Sequence, residues 1–191
     1  GADINTNNSG NRTLLMIEAR RGNPDFVSDL LKKGAYLNSQ DKDGMTALMY
    51  AVKSRSQRIV GDLLKHGANI TVQDGKGKSA MLYAIEERDY YEDSEQTQTI
   101  IDILIDNGGD VNTKNRWNQT LLMIEAREGN PALVSDLLKK GADVNELDDD
   151  GWTALMYAGG NKDVVDALLK NGANINAQDN DGMTVLMHAG Q

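Results

Sequence analysis

The chain has 191 residues, 39% hydrophobic and only 5% aromatic, with no cysteine and a formal net charge of −9 from 20 Lys plus Arg against 29 Asp plus Glu. An acidic protein repels nucleic-acid phosphates and anionic lipid headgroups, so neither is an expected partner. The lack of cysteine removes disulfides, thiolate metal sites and cysteine nucleophiles. No apolar run approaches the ~20 residues of a membrane helix, no signal peptide is visible, and a cytoplasmic location is expected.

Gly1-Ala2-Asp3-Ile4-Asn5 matches Gly141-Ala142-Asp143-Val144-Asn145 and reads as the tail of a repeat. Thr13 to Asn38 then shares 21 of 26 positions with Thr120 to Asn145, 107 residues further on. Weaker versions of this phrase fill the gap between them, so the chain is a repeat array. The repeats run 6–38, 39–71, 72–112, 113–145 and 146–176, with lengths of 33, 33, 41, 33 and 31, flanked by partial repeats 1–5 and 177–191. The first three lengths together equal the 107-residue offset. Thr46-Ala47-Leu48-Met49-Tyr50-Ala51 also returns as Thr153-Ala154-Leu155-Met156-Tyr157-Ala158, so a three-repeat module has been duplicated. The same periodicity predicts that the native chain continues past Gln191 with a second helix for the sixth repeat.

The fourth repeat shows the physical plan. Thr120 suits an N-cap, its hydroxyl accepting from a first-turn amide. Leu121, Leu122, Met123 and Ala126 give the first helix an apolar face. Gly129-Asn130-Pro131 breaks the chain and restarts it, with Pro at the first helical position, where a missing amide costs nothing. Leu133, Val134, Leu137 and Leu138 form one stripe of a second helix. Lys139 and Lys140 suit the negative end of its dipole, and Gly141 supplies a left-handed cap. The polar Asp, Asn and Gly that follow read as a hairpin turn.

Two repeats depart from this plan. The third carries eight extra residues between its helices, near 90–97, where Tyr90, Tyr91, Glu92 and Asp93 are expected to form a loop. The fifth is two residues short at Gly159-Gly160-Asn161, so its first helix should be clipped.

A 33-residue period of helix, turn, helix and polar hairpin, together with Asp41-x-x-Gly44-x-Thr46-Ala47-Leu48 and Gly67-Ala68-Asn69-Ile70, resembles the ankyrin repeat family. Asp148-x-x-Gly151-x-Thr153-Ala154-Leu155 and Gly172-Ala173-Asn174-Ile175-Asn176 repeat the match, and the resemblance covers the whole chain in phase. It implies an all-α ankyrin-repeat solenoid forming a single domain, with five full repeats and two partial ends. The family usually has Pro after the Thr and His two residues later. Here those places hold Leu14, Ala47, Ala80, Leu121, Ala154 and Val185, and then Met16, Met49, Leu82, Met123, Met156 and Met187. The resemblance gives that His the task of tying neighbouring hairpins. A thioether cannot donate, so packing is expected to hold the hairpins instead.

Motifs for chemistry are weak. Gly75-Lys76-Gly77-Lys78-Ser79 ends like a phosphate-binding loop, but Val72 stands where the first Gly is required. Asp41-Lys42-Asp43-Gly44, Asp148-Asp149-Asp150-Gly151 and Asp179-Asn180-Asp181-Gly182 begin like calcium loops. The final ligand should be Glu, and those places hold Tyr50, Tyr157 and His188. The Asp and Gly residues therefore read as turn formers. His66 and His188 have no nucleophile or carboxylate constellation in sight. No metal site, cofactor or catalytic residue is expected.

The resemblance places recognition on the concave face, built from hairpin tips and first helices. Transferred position by position, the candidate partner-binding residues are Met45, Tyr50, Tyr83, Arg116, Trp117, Asp149, Asp150, Trp152 and Tyr157, with the loop around Tyr90, Tyr91, Glu92 and Asp93 as a second element. Tyr, Trp, Met and Arg are enriched in binding hot spots. The expected function is non-catalytic binding of another protein, one with a basic surface, by a monomeric chain. An inhibitor or immunity-type protein against a basic enzyme or toxin, and a regulatory domain of a larger protein, are the alternatives.

Overall fold

In the first, second, fourth and fifth repeats the first helix opens where a Thr ends an extended segment. Thr13, Thr46, Thr120 and Thr153 have ψ between 162° and 168°, and each hydroxyl accepts from the amide three residues on, which satisfies one orphan donor of the helix that follows. The computed structural model describes residues 4–90 and 94–189. Contacts divide the chain into two compact halves, Gly1–Asp110 and Val111–Gln191. The division falls two residues before the expected boundary between the third and fourth repeats.

The first half holds α1 (Leu14–Arg21), α2 (Pro24–Lys32), α3 (Ala47–Lys53), α4 (Gln57–Lys65), α5 (Ala80–Tyr90) and α6 (Ser94–Asp106). Helices α1, α3 and α5 pack in one row and α2, α4 and α6 in a second. The second half holds α7 (Leu121–Glu128), α8 (Pro131–Lys139), α9 (Ala154–Tyr157), α10 (Lys162–Lys170) and α11 (Val185–Ala189). There α9 lies between α7 and α11, and α8 packs on α10. No strand forms among the described residues; four isolated antiparallel bridges, such as Lys114 to Thr120, mark hairpin bases.

The first helices are sealed by one aliphatic position per repeat. Leu15, Leu48, Leu122 and Leu155 are all at most 2% exposed. Each contributes ~2 kcal/mol relative to leaving it in water. Met16, Met49 and Met123, in the place of the family His, are equally buried. Pro24 and Pro131 start α2 and α8 as expected. Gly129 ends α7 in the left-handed region, its amide bonding back to the Ala126 carbonyl.

The irregular repeats behave differently from each other. The clipped first helix of the fifth repeat is real: α9 has four residues, against seven in α3. The extra length of the third repeat is taken up largely by helix and not by loop. Its α5 and α6 run to 11 and 13 residues, against eight and nine in α7 and α8. A chain that can continue a hydrogen-bonded ladder does so in preference to paying for an open loop. Tyr90 ends α5; Tyr91, Glu92 and Asp93 lie outside the described residues.

The expectation that packing alone holds the hairpins is corrected. The Met sulfurs act within their own repeat, accepting from the Thr46 amide at 3.5 Å and the Thr120 amide at 3.4 Å. Neighbouring hairpins are joined by backbone bonds instead: Lys42 to the Gly10 carbonyl, Gly75 to Asp43, Asp149 to Trp117 and Asn180 to Asp150, at 2.8–3.2 Å. The Asn that ends the first, third and fourth repeats adds a rung. Asn38 Oδ1 accepts from the Asn69 amide at 2.7 Å, and Asn112 and Asn145 do the same for Asp143 and Asn174 at 2.8 Å. Gly44 is required by this stacking. Its φ is 80°, and a Cβ there would meet the Gly75 nitrogen at 2.6 Å.

Candidate functional site

The hairpin tips are built around a single acidic or amide side chain. Asp41, Asp74, Asp148 and Asp179 each use Oδ1 to accept two backbone amides, two and four residues on, at 2.8–3.0 Å. Asn8 and Asn115 do the same in the first and fourth repeats at 2.9–3.0 Å. The calcium-like phrases are therefore turns whose carboxylates are occupied by the tip itself. The phosphate-loop resemblance dissolves the same way: the Lys76 and Lys78 amides point to Asp74, and Ser79 caps the Leu82 amide at 3.2 Å. No group of three His, Cys, Asp or Glu suited to a metal ion occurs among the described residues.

The second oxygen of each Asp takes a partner nine residues downstream. Tyr50 donates to Asp41 and Tyr83 to Asp74 at 2.6 Å, and Tyr157 to Asp148 at 2.5 Å. In the sixth repeat His188 Nε2 lies 2.7 Å from Asp179. Where the tip carries Asn, the downstream residue is Ile17 or Ile124. This pairing is visible in the sequence as an Asp and an aromatic ring residue at a spacing of nine.

In the clasps of Asp41 and Asp74 both partners are shifted. Burial works against the Asp41 carboxylate, but bonds from Tyr50, Arg12 and two amides outweigh it and hold its pKa below the ordinary aspartate value. Asp74 is lowered in the same way by Tyr83 and two amides. Burial, then the bond to Asp148, pushes Tyr157 up to about 12. Burial and Asp74 raise Tyr83 as well.

These contacts decide what each candidate residue offers a partner. Tyr50 and Met45 are both 6% exposed and belong to the packed framework. Tyr83 and Tyr157 are half-buried, with their hydroxyls committed. Trp117 is 45% exposed, with the Arg116 guanidinium 3.9 Å above its ring. Trp152 is half-buried between Tyr157 and His188, at ring separations of 5.1 and 4.7 Å. Asp149 and Asp150 are exposed, and Asp149 accepts from Asn118 at 2.6 Å. Arg116, Trp117, Asp149, Asp150 and Trp152 thus gather on the hairpin tips of the second half.

The residues before Thr13 and Thr120 reach the clasp of the next repeat. Arg12 Nε lies 3.0 Å from Asp41, and Gln119 Nε2 donates to the Tyr157 hydroxyl at 2.7 Å. Two grooves open along this face in the first half. One of about 530 Å³ is lined by Lys42, Lys53 and Lys76 beside Met45, Tyr50 and Tyr83. The other, of about 440 Å³, is lined by Arg12, Arg20 and Arg21 beside Met16, Ile17 and Tyr50. The long framework phrase also hides a buried acid on each first helix. Glu18 is 5% exposed, bonded to Arg21 at 2.7 Å and Asn23 at 3.2 Å, and Glu125 is fully buried. Neither helix pattern signalled burial of a charge.

A family model described as ankyrin repeats in three copies matches residues 1–74 and 91–179. The chain belongs to the ankyrin repeat family. As an ankyrin repeat protein it is similar to an ankyrin repeat domain from Acinetobacter baumannii AYE, with 29% identity, 92% of this chain and 89% of that one covered, and a TM-score of 0.74. It is similar to the ankyrin repeat protein EF0377 at 28% identity, with 93% and 90% covered and a TM-score of 0.73. The ankyrin repeat domain of Bcl-3, a member of the IkappaB family, shares the fold at 24% identity, with 98% and 82% covered and a TM-score of 0.73. Ankyrin repeats are generally protein–protein interaction modules without catalysis of their own. No helix among the described residues of this ankyrin repeat protein is long and apolar enough to cross a membrane.

Proposed function

We propose that this ankyrin repeat chain binds a partner protein through the hairpin tips and first helices of its repeats, the concave face of the family, and performs no catalysis. One observation carries the reading. The two module copies keep their caps and core Leu but differ at less buried positions of that surface, as in Arg12 against Gln119, Arg21 against Glu128 and Lys42 against Asp149. A framework that stays constant under a changing face is what binding diversification needs.

In the second half the binding element comprises Arg116, Trp117, Asp149, Asp150 and Trp152, with Tyr157 bracing Trp152. In the first half it comprises the grooves beside Tyr50 and Tyr83, with Met45 as floor. The segment of Tyr90, Tyr91, Glu92 and Asp93 is proposed as a further partner-binding element. Exposed Asp149, Asp150 and Asp181 favour a basic partner surface on the second half. That chemistry also suits an inhibitor or immunity-type role against a basic enzyme. A monomeric chain in the cytoplasm completes the reading.

The test is affinity capture from source cells with the full chain and with an Arg116→Ala/Trp117→Ala/Asp149→Ala/Asp150→Ala variant, each checked by circular dichroism. All four residues are exposed, so the fold should survive. Partner proteins recovered by the parent and lost by the variant support the surface. Equal recovery overturns it.

A further inference from the structure

The two module copies share a framework but differ in the sign of the face they carry. On hairpin tips and first-helix ends the first copy has Arg12, Arg21, Lys42, Lys76 and Lys78, where the second has Gln119, Glu128, Asp149, Asp181 and Met183. Five cations give way to three anions and two uncharged residues. Lys53 has no sure counterpart, because the second copy is two residues short there. Arg116 in place of Ser9 runs the other way, and it is stacked on Trp117. Lys114 and Glu146, in the places of Asn7 and Ser39, pair at 2.6 Å and cancel.

The cations of the first copy are not all consumed internally. Arg12 meets Asp41, Arg21 meets Glu18, Lys53 meets Glu87 and Lys78 meets Glu86. Arg20, Lys42 and Lys76 are exposed and have no ion pair among the described residues. Arg20 lines the smaller groove and the two Lys line the larger, and both grooves share Tyr50. The acids beside them are largely occupied. Asp74 holds Tyr83 and two amides, and Asp43 is reached by Arg12 at 3.5 Å.

We infer that the face of the first half takes an acidic polypeptide segment. Its carboxylates meet Arg20, Lys42 and Lys76, and its apolar side chains enter the two grooves on either side of Tyr50. This rests on the proposal that the hairpin and first-helix face binds protein; it adds the sign of the partner, opposite to the one that the net charge suggests. Separated cations over grooves floored by Met45, Ile17 and the Tyr rings suit spaced carboxylates with hydrocarbon between them. A phosphate backbone would bring an unbroken row of charge past Asp43, Glu86 and Glu87, and be repelled there.

The test selects a random 12-residue peptide display library on the full chain and on an Arg20→Gln/Lys42→Asp/Lys76→Asp variant. The last two changes install the residue type that the second copy carries at the same places. The parent should enrich peptides with excess Asp and Glu around apolar anchors. Their affinity, read by fluorescence anisotropy, should fall about tenfold or more in the variant and weaken as salt rises. A Lys42→Gln/Lys76→Gln variant, which adds no negative charge, should show a smaller loss in the same direction. Enriched peptides that are neutral or basic would overturn the assigned sign while leaving the protein-binding reading intact. No enrichment at all would remove that reading and this one with it. A 12-nucleotide single strand that binds more tightly than the peptides, and depends on the same three cations, would also overturn the inference.

Discussion

In the fourth repeat Asn115 and Ile124 occupy the places that Asp148 and Tyr157 hold in the fifth. Both tips are closed by one side-chain oxygen accepting two backbone amides. An amide oxygen suffices for that task. The difference lies in the second polar atom. Asp148 has a charged oxygen left over, and Tyr157 satisfies it. Asn115 instead sends its Nδ2 to Gln119 at 3.4 Å, and Ile124, 1% exposed, is sealed as hydrocarbon. The two repeats are joined through this difference: Gln119 donates to Tyr157, which donates to Asp148. A polar side chain and its neighbour are therefore selected as a pair, because a buried polar atom without its partner costs more than the bond contributes.

The comparison is broken most directly at its acceptors. Asp148→Ala strands two amides and a phenol, and should cost about 3 kcal/mol in urea unfolding. Asn115→Ala strands the same two amides but no phenol, losing besides them the long 3.4 Å bond to Gln119, and should cost about 1 kcal/mol less. Equal losses would mean that the phenol contributes nothing.

Exchanging one member of a pair is the next largest effect. Asn115→Asp alone should cost about 2 kcal/mol, since a charge then faces buried Ile124. Adding Ile124→Tyr should recover about 1 kcal/mol or more of it, measured as the coupling energy of a double-mutant cycle. A coupling near zero would sink the pairing.

Tyr157→Phe should cost about 1 kcal/mol by the same assay. It should also change the alkaline limb. A phenol raised from about 10 to about 12 holds its proton more tightly folded than unfolded. Its contribution is thus fully present below pH ~10 and lost as pH climbs towards 12. The variant should lose part of that decline, with Tyr50 and Tyr83 supplying the rest. At the acid end, the lowered Asp41 and Asp74 contribute stability above pH ~4 that disappears as pH falls through their folded values. Lys42→Ala, at an exposed side chain without an ion pair among the described residues, should move stability by no more than ~0.5 kcal/mol. A larger change would place Lys42 in the framework and not on the binding face.

Much of the fold was legible because its signals are local. Thr caps, Pro after Asn, the Leu stripe and the left-handed Gly act within one turn of helix, and repetition at 33 residues multiplied each of them. The clipped α9 followed from counting residues. The loop expected over 90–97 was legible only in part: 94–97 open α6 and 91–93 lie outside the described residues, because counting shows that residues are added but not whether a helix can absorb them. The candidate site was half legible. Trp117, Arg116, Asp149 and Asp150 were read as surface and are exposed, whereas Met45 and Tyr50 have the residue types of hot spots but lie in the framework. Tyr50 misleads because the pattern around Asp41 signals only a turn, and the bond that buries the Tyr50 hydroxyl uses the oxygen that the turn leaves over.

The sequence by itself determined the repeat, its phase, its duplication and its family, since these follow from periodicity and from interactions that close within a few residues. Only the tertiary structure decided how hairpins are tied without the usual His, and which cations over the grooves of the first half are left without an ion pair among the described residues. Those outcomes depend on atoms about 30 residues apart coming within 3 Å, and no local pattern carries that distance.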